Sequence, residues 1–307
     1  MSHRNEHKNR SAHRRKKDKQ ARQGYLLLLP FFSLFALFTV LPVLASIVIG
    51  FTDFNLLQWP NFVGWDNYSR LILDDDVFTV ALQNTILFAV ITGPLSYVLC
   101  FTFAWVINEL PPRMRAFMTV VFYAPSISGN VFFIWQFIFS GDRYGMLNGF
   151  LLNLGIINTQ IDFLRDSRFV LPILLGVQLW MSLGVGFLAF IAGLQTVDKT
   201  LYEAGAVDGI QNRWQELWFI TLPSMIPQLM FGAVMQITAS FAVAELSMML
   251  AGFPSINDLG ATIVTHLIDF GTIRFEMGYA SAIAVVLFIM MVGTNKIVQK
   301  GLRKVGQ

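Results

Sequence analysis

Cysteine is nearly missing from this chain. Its 307 residues contain one, Cys100, which excludes an internal disulfide and says nothing about redox compartment. Charge is scarce too: charged residues make up 13% and hydrophobic residues 55%, with a mean hydropathy of +0.57. That balance excludes an ordinary soluble domain. Of the four histidines, three fall in the basic N-terminal stretch and His266 stands alone, so no metal site is expected. Neither His-Glu-x-x-His nor Gly-x-Ser-x-Gly nor a phosphate-binding loop occurs. This chain is therefore not expected to bind ATP in the usual way. No internal repeat is visible, and low complexity is confined to the basic tail.

What the chain does have is apolar length. Uncharged runs cover 23–52, 77–108, 116–141, 169–197, 217–244 and 277–295. Roughly 20 apolar residues cross a ~30 Å hydrocarbon core, and backbone groups in lipid require helix. Six spans are expected, at about 25–51, 85–107, 118–140, 169–194, 227–252 and 278–298. Lys and Arg give the orientation. With the N-terminus inside, 17 of the 22 basic residues lie on the inner side and 5 outside, which places both termini in the cytoplasm. Residues 1–23 form a basic cytoplasmic tail suited to anionic headgroups, at about 1 kcal/mol per basic residue. No nucleic-acid-binding fold follows the tail, so no nucleic-acid partner is expected. The first apolar stretch is twice the length of a signal-peptide core, which makes it an uncleaved anchor. The chain thus divides into tail 1–23, a membrane domain 24–298 and a C-terminal tail 299–307.

Several features mark the path of the chain. Asp74, Asp75 and Asp76 open a lead-in to the second span. Pro111 and Pro112 force a tight inner turn. Pro125, Ser126, Ser128, Gly129 and Asn130 can open the third span locally. A short amphipathic helix is expected around 146–154. The segment 197–216 carries two basic and four acidic residues, against the usual positive bias of a cytoplasmic loop.

That loop reads as a folded hairpin, 198–223. Asp198 or Thr200 can cap a short helix running through 202–207, and Thr200 and Glu203 have the spacing of a capping box. Gly209 stands where a helix would end in a left-handed residue. Trp214, Leu217, Trp218 and Phe219 recur at helical spacing, giving a second helix, and Pro223 and Pro227 bend the entry to the fifth span. Tyr202, Ala204, Ala206 and Ile210 are read as an exposed apolar set, able to lie in a groove of another protein.

Glu203, Ala204, Asp208, Gly209, Leu222, Pro223 and Pro227 resemble the EAA loop of importer permeases of the ABC transporter family. The pattern departs at Gly205, where a second alanine is usual, and at Ile210, where alanine is usual. ALQNT at 81–85, the stretch 124–148 and LAFIAGLQTVDKTLYEAG at 188–205 look like the carbohydrate-uptake branch. AELSMMLAGFP at 244–254 departs from it. The resemblance implies an all-α polytopic membrane protein of six transmembrane helices, with a cytoplasmic coupling hairpin between the fourth and fifth. It implies a transport subunit and not an enzyme, in the cell membrane. The expected partners are a second permease of different sequence, two cytoplasmic ATPase subunits that carry ATP and Mg, and an extracytoplasmic binding protein delivering a sugar, with oligosaccharide favoured. The coupling residues are by match Glu203, Ala204, Gly205, Asp208, Gly209, Leu222 and Pro223.

A sugar path combines aromatic plates with amide groups. Tyr123, Asn130, Trp135, Gln136, Gln178, Trp180 and Gln236 qualify, but each also suits an interfacial belt or a helix-to-helix contact. Glu245 is the ionisable residue nearest a span's middle, where a carboxylate costs roughly 2.5–3.5 kcal/mol. It should face water, the bundle interior or the outer interface. An ion-gradient-driven secondary transporter is the alternative, and predicts intramembrane charge relays and inverted halves.

Overall fold

The computed structural model describes residues 25–129 and 131–305. Residues 1–24, which hold the basic tail, Asn130 and residues 306–307 lie outside the described residues. Helices follow in the order α1 (Tyr25–Ile49), α2 (Asp66–Leu73), α3 (Asp76–Asn108), α4 (Pro112–Ile127), α5 (Val131–Ile138), α6 (Met146–Asn153), α7 (Val170–Met181) and α8 (Val185–Thr196). They continue with α9 (Lys199–Val207), α10 (Arg213–Glu216), α11 (Ile226–Phe241), α12 (Glu245–Ala251), α13 (Ile263–Ile268) and α14 (Met277–Val305). No strand occurs among the described residues beyond a single bridge between Thr52 and Phe62.

Among the described residues five helices are long and apolar enough to cross a membrane: Tyr25–Ile49, Asp76–Asn108, Val170–Thr196, Ile226–Ala251 and Met277–Leu302. Where the third span is expected, with a local opening at its Pro-Ser-Gly cluster, α4 and α5 meet at 81°. Pro125 removes a helical donor, and Ser128 leaves the helix in an extended conformation (φ −88, ψ 103) next to Gly129. Two of the long spans are also interrupted, at 182–184 between α7 and α8 and at 242–244 between α11 and α12. The last helix runs unbroken to Val305, through much of the expected tail.

Packing centres on α3, the 33-residue helix, which lies against α7, α8 and α11. The last helix packs on α11 and on the end of α1. Apart from that end, α1 has its apolar side chains exposed, as lipid or another apolar partner allows. Toward the hairpin, Cys100, Phe187, Phe190 and Met225 are fully buried in one apolar cluster. Beyond the helix breaks a second cluster holds Phe88, Val131, Leu174 and Val243.

The end opposite the hairpin is pinned by polar groups. Asp75 caps α3, accepting the Phe78 N–H at 2.8 Å. The same carboxylate meets His266 Nε2 at 2.9 Å and accepts the Tyr279 hydroxyl at 2.6 Å. Burial pushes the Asp75 carboxyl up, but the Tyr279, Phe78 and His266 contacts outweigh it and hold it below the usual carboxylate range. Arg70 lies 4.3 Å over the Tyr279 ring and pairs with Glu276 at 2.6 Å. His266, solitary in the sequence, thus belongs to a tie between α3, α13 and α14.

Candidate functional site

The hairpin is built from its caps inward. Asp198 caps α9, accepting the Thr200 N–H at 3.0 Å, and that N–H holds its carboxyl below the usual range. The cap is one of the two residues the sequence allows, and it begins the helix at Lys199. The Thr200–Glu203 box therefore does not form, because both residues are already inside the helix. At the other end Gly209 has φ +96. The Ile210 N–H reaches the Gly205 carbonyl at 2.9 Å and the Gly209 N–H reaches that of Ala206 at 3.4 Å. This paired closure is a Schellman motif, which favours glycine at the left-handed position.

The second arm starts at Asn212, whose side chain accepts the Gln215 N–H at 2.9 Å. It continues through α10, a π-helical turn Leu217–Thr221 and a short helical turn Leu222–Ser224. Pro223 sits at the start of that turn, directly after the π-helical one. The two arms are clamped. Tyr202 OH lies 2.9 Å from Thr221 Oγ1, and buried Gly205 admits the Ile220 side chain. Tyr202 and Ile210, expected on the exposed face, are therefore half-buried and turned toward the second arm. The exposed surface is made by Leu201, Glu203, Ala204, Ala206, Val207 and Asp208, with Val207 88% exposed.

Gly205 and Ile210, the two departures from the permease pattern, lie against each other. A Cβ at 205 would stand 3.1 Å from Ile210 Cδ1 and 2.6 Å from Ile220 Cδ1. The carbon missing at one position makes room for the larger side chain at the other. We predict non-additivity: Ile210→Ala should cost less in a Gly205→Ala background than alone, by about 0.5 kcal/mol or more. Thermal unfolding of the four purified proteins measures this, and additive costs would contradict the contact.

The second set of candidates lies where the helices break. The Ser182 carbonyl, freed at the α7–α8 break, accepts the Gln236 side-chain amide at 3.1 Å, and that amide also reaches Cys100 Sγ at 3.0 Å. The Val243 carbonyl, freed at the α11–α12 break, accepts the Thr262 hydroxyl at 2.6 Å. Buried backbone groups in an apolar bundle need such partners. Gln236 is accordingly buried and engaged with the helix break. Trp135 and Trp180 come together edge to face, with centroids 5.3 Å apart. Trp180 also lines an apolar cavity of about 370 Å³ with Phe103, Phe122 and Pro125. Tyr123 and Gln178 are half-buried on α4 and α7. Gln136 donates to the Met249 carbonyl. Glu245 is exposed at the first position of α12.

Trp105, Glu109, Arg213 and Glu216, which no sequence signal marks, stand together beside Trp214 of the second arm. Arg213 pairs with Glu216 at 2.7 Å and with Glu109, from the turn after α3, at 3.3 Å. Trp105 meets Trp214 with ring centroids 5.3 Å apart. Beside Trp105 lies a polar cavity of about 580 Å³ lined by Glu109, Arg115, Lys199, Glu203, Arg213 and Glu216. Trp105 and Glu109 are one helical turn apart and so share a face, but nothing local names their partners a hundred residues on.

No protein-family profile matches the chain. Individual relatives do. The chain is 30% identical over 273 residues to the probable ABC transporter permease protein YesP of Bacillus subtilis, covering 87% of this chain and 86% of that one. It is 29% identical over 269 residues to the arabinooligosaccharides transport system permease protein AraP of Halalkalibacterium halodurans, covering 87% and 83%. Among solved structures, a chain of the bacterial alginate ABC transporter, in complex with alginate pentasaccharide-bound periplasmic protein, superposes with a TM-score of 0.74. That match covers 95% of this chain and 98% of the other at 21% identity, which speaks to the fold. A helical, multi-pass membrane architecture with this sequence likeness defines a transport permease. The chain belongs to the ABC transporter permease family.

Proposed function

We propose that this permease forms, with a second permease of different sequence, the path for a sugar entering the cell, an oligosaccharide in preference to a monosaccharide. In this reading the bent α4–α5 pair serves as the third of six crossings. Both termini and the hairpin face the cytoplasm, in keeping with the basic residues at the chain ends. Two ATPase subunits hold ATP and Mg and push on the hairpins, and an extracytoplasmic binding protein delivers cargo at the opposite end. Movement of the ATPases rocks the helices between inward and outward openings. The oligosaccharide reading is supported by the names of the relatives and by the composition of the broken-helix level. There Trp135 and Trp180 offer aromatic surface; Tyr123, Gln178 and Asn130 are further candidates on sequence grounds. Gln236 shapes this level through the Ser182 carbonyl, and Glu245 borders it.

The observation that carries the proposal is the hairpin itself. Its two arms are clamped into one body that presents Glu203, Ala204, Val207 and Asp208 outward. An acidic, apolar-edged helix of this kind fits a groove on another protein. Gly205 keeps the arms together, while Leu222 and Pro223 join the body to α11. Glu203→Lys reverses the charge at the centre of that surface. It should weaken ATPase association by about 2 kcal/mol, roughly thirtyfold, read as ATPase retained by the purified permease after washing. Retention equal to that of the unsubstituted protein would count against docking through this face.

A further inference from the structure

We infer that the hairpin is latched to α3, and that Trp105, Glu109, Arg213 and Trp214 are positioning residues that hand its motion to the broken-helix level. The inference rests on the proposed ATPase coupling. By covalent connection the hairpin could move only its neighbours in sequence, α8 and α11. Yet Trp214 lies on Trp105 at 5.3 Å, and Arg213 bridges its own turn to Glu109. The turn that carries Glu109 is itself braced, because Arg115 donates to the Asn108 side chain at 3.2 Å. Both contacts therefore grip the end of α3.

From there α3 leads directly to the interrupted level. Cys100 stands about 7.5 Å up the helix axis from Trp105, at 1.5 Å rise per residue. Its sulfur touches the Gln236 amide, which holds the Ser182 carbonyl at the α7–α8 break. A push on the hairpin thus has a short route through one stiff helix to the break. The ion pair is exposed, with its side chains 65% and 46% accessible. Pairs of that kind add little to stability, so a role in positioning explains the arrangement better than a role in holding the fold.

The test uses the whole transporter in vesicles, with the ATPase subunits trapped by ATP and vanadate. The rate at which N-ethylmaleimide labels Cys100, read on this chain by mass, reports motion at the break. In the unsubstituted protein trapping should change that rate. Trp214→Ala and Glu109→Arg should keep the ATPase bound yet reduce the change about fivefold or more. Trp214→Phe and Glu109→Gln, which preserve an aromatic contact and an acceptor for Arg213, should keep it. An unchanged response in Trp214→Ala and Glu109→Arg, or no response in the unsubstituted protein, would overturn the latch while leaving ATPase coupling intact. Loss of ATPase from these variants would overturn it too, because the residues would then serve docking. Failure of the unsubstituted permease to retain any ATPase would instead sink the coupling on which the latch depends.

Discussion

Gly209→Pro should abolish ATP-driven uptake while the permease still inserts in the membrane. Proline holds φ near −65°, whereas residue 209 has φ +96. The substitution also removes the N–H that reaches the Ala206 carbonyl, and it misdirects the Ile210 N–H away from Gly205. Together these losses cost about 3 kcal/mol or more, enough to open a two-armed hairpin with few other closures. The Gly205–Ile220 and Tyr202–Thr221 contacts would part, and Glu203 would lose its fixed place. Uptake should fall more than about tenfold, whereas the long spans, which do not depend on the turn, should still insert. Comparing uptake with membrane-inserted protein in the same vesicles checks this. Normal uptake by the variant would show that the turn geometry does not matter for transport.

Gly278→Ala should do the opposite damage, striking the fold at the far end. Gly278 opens α14 beneath the segment that follows α1, and its N–H donates to the Phe54 carbonyl at 2.8 Å. A Cβ there would lie 1.9 Å from the Thr52 carbonyl oxygen and 3.0 Å from its carbon. Those are backbone atoms, and Asn67 fixes them by donating to the Gly50 and Thr52 carbonyls at 2.9 and 2.8 Å. No side-chain rotation relieves such a contact. Either the Asn67 tie breaks or α14 moves off, at a cost of about 3 kcal/mol or more. We expect a melting temperature lower by several degrees and a reduced yield of folded protein. An unchanged melting temperature would mean that the close approach is not present in the membrane.

Much of this was legible in the sequence because lipid leaves so few choices. Uncharged runs of sufficient length must be helical, and the described spans follow those runs closely. The hairpin was legible for a different reason: Asp198 and Gly209 are local signals, each acting on backbone within a few residues of itself. The breaks were harder to read. Pro125 with Ser126 and Ser128 announced a local opening but not its 81° angle. The interruption at 182–184 has no such signal, since serine and glycine are common in membrane helices that run straight. Its partner Gln236 is 54 residues away. The same distance problem hides the Asp75 knot, whose members are separated by 191 and 204 residues. Tyr202 and Ile210 turned inward because the second arm lies over them, which helical periodicity on one arm alone does not disclose.

Function was readable wherever one segment carries it. The docking surface proposed for the hairpin rests on one segment, an exposed acidic and apolar face on a fixed turn. A cargo path is shared among several helices, and here its candidates divide by circumstance. Trp135 and Trp180 meet, Gln236 is used at a helix break, and Glu245 stands exposed on a different element.

Reconstitution of the permease with and without its ATPase partners tests the force-transmitting role of the hairpin most directly. Sugar uptake should require the ATPase subunits and ATP on the hairpin side, and should vanish when Glu203→Lys prevents their retention. Uptake by this chain alone, driven by an ion gradient with no ATPase present, would contradict it.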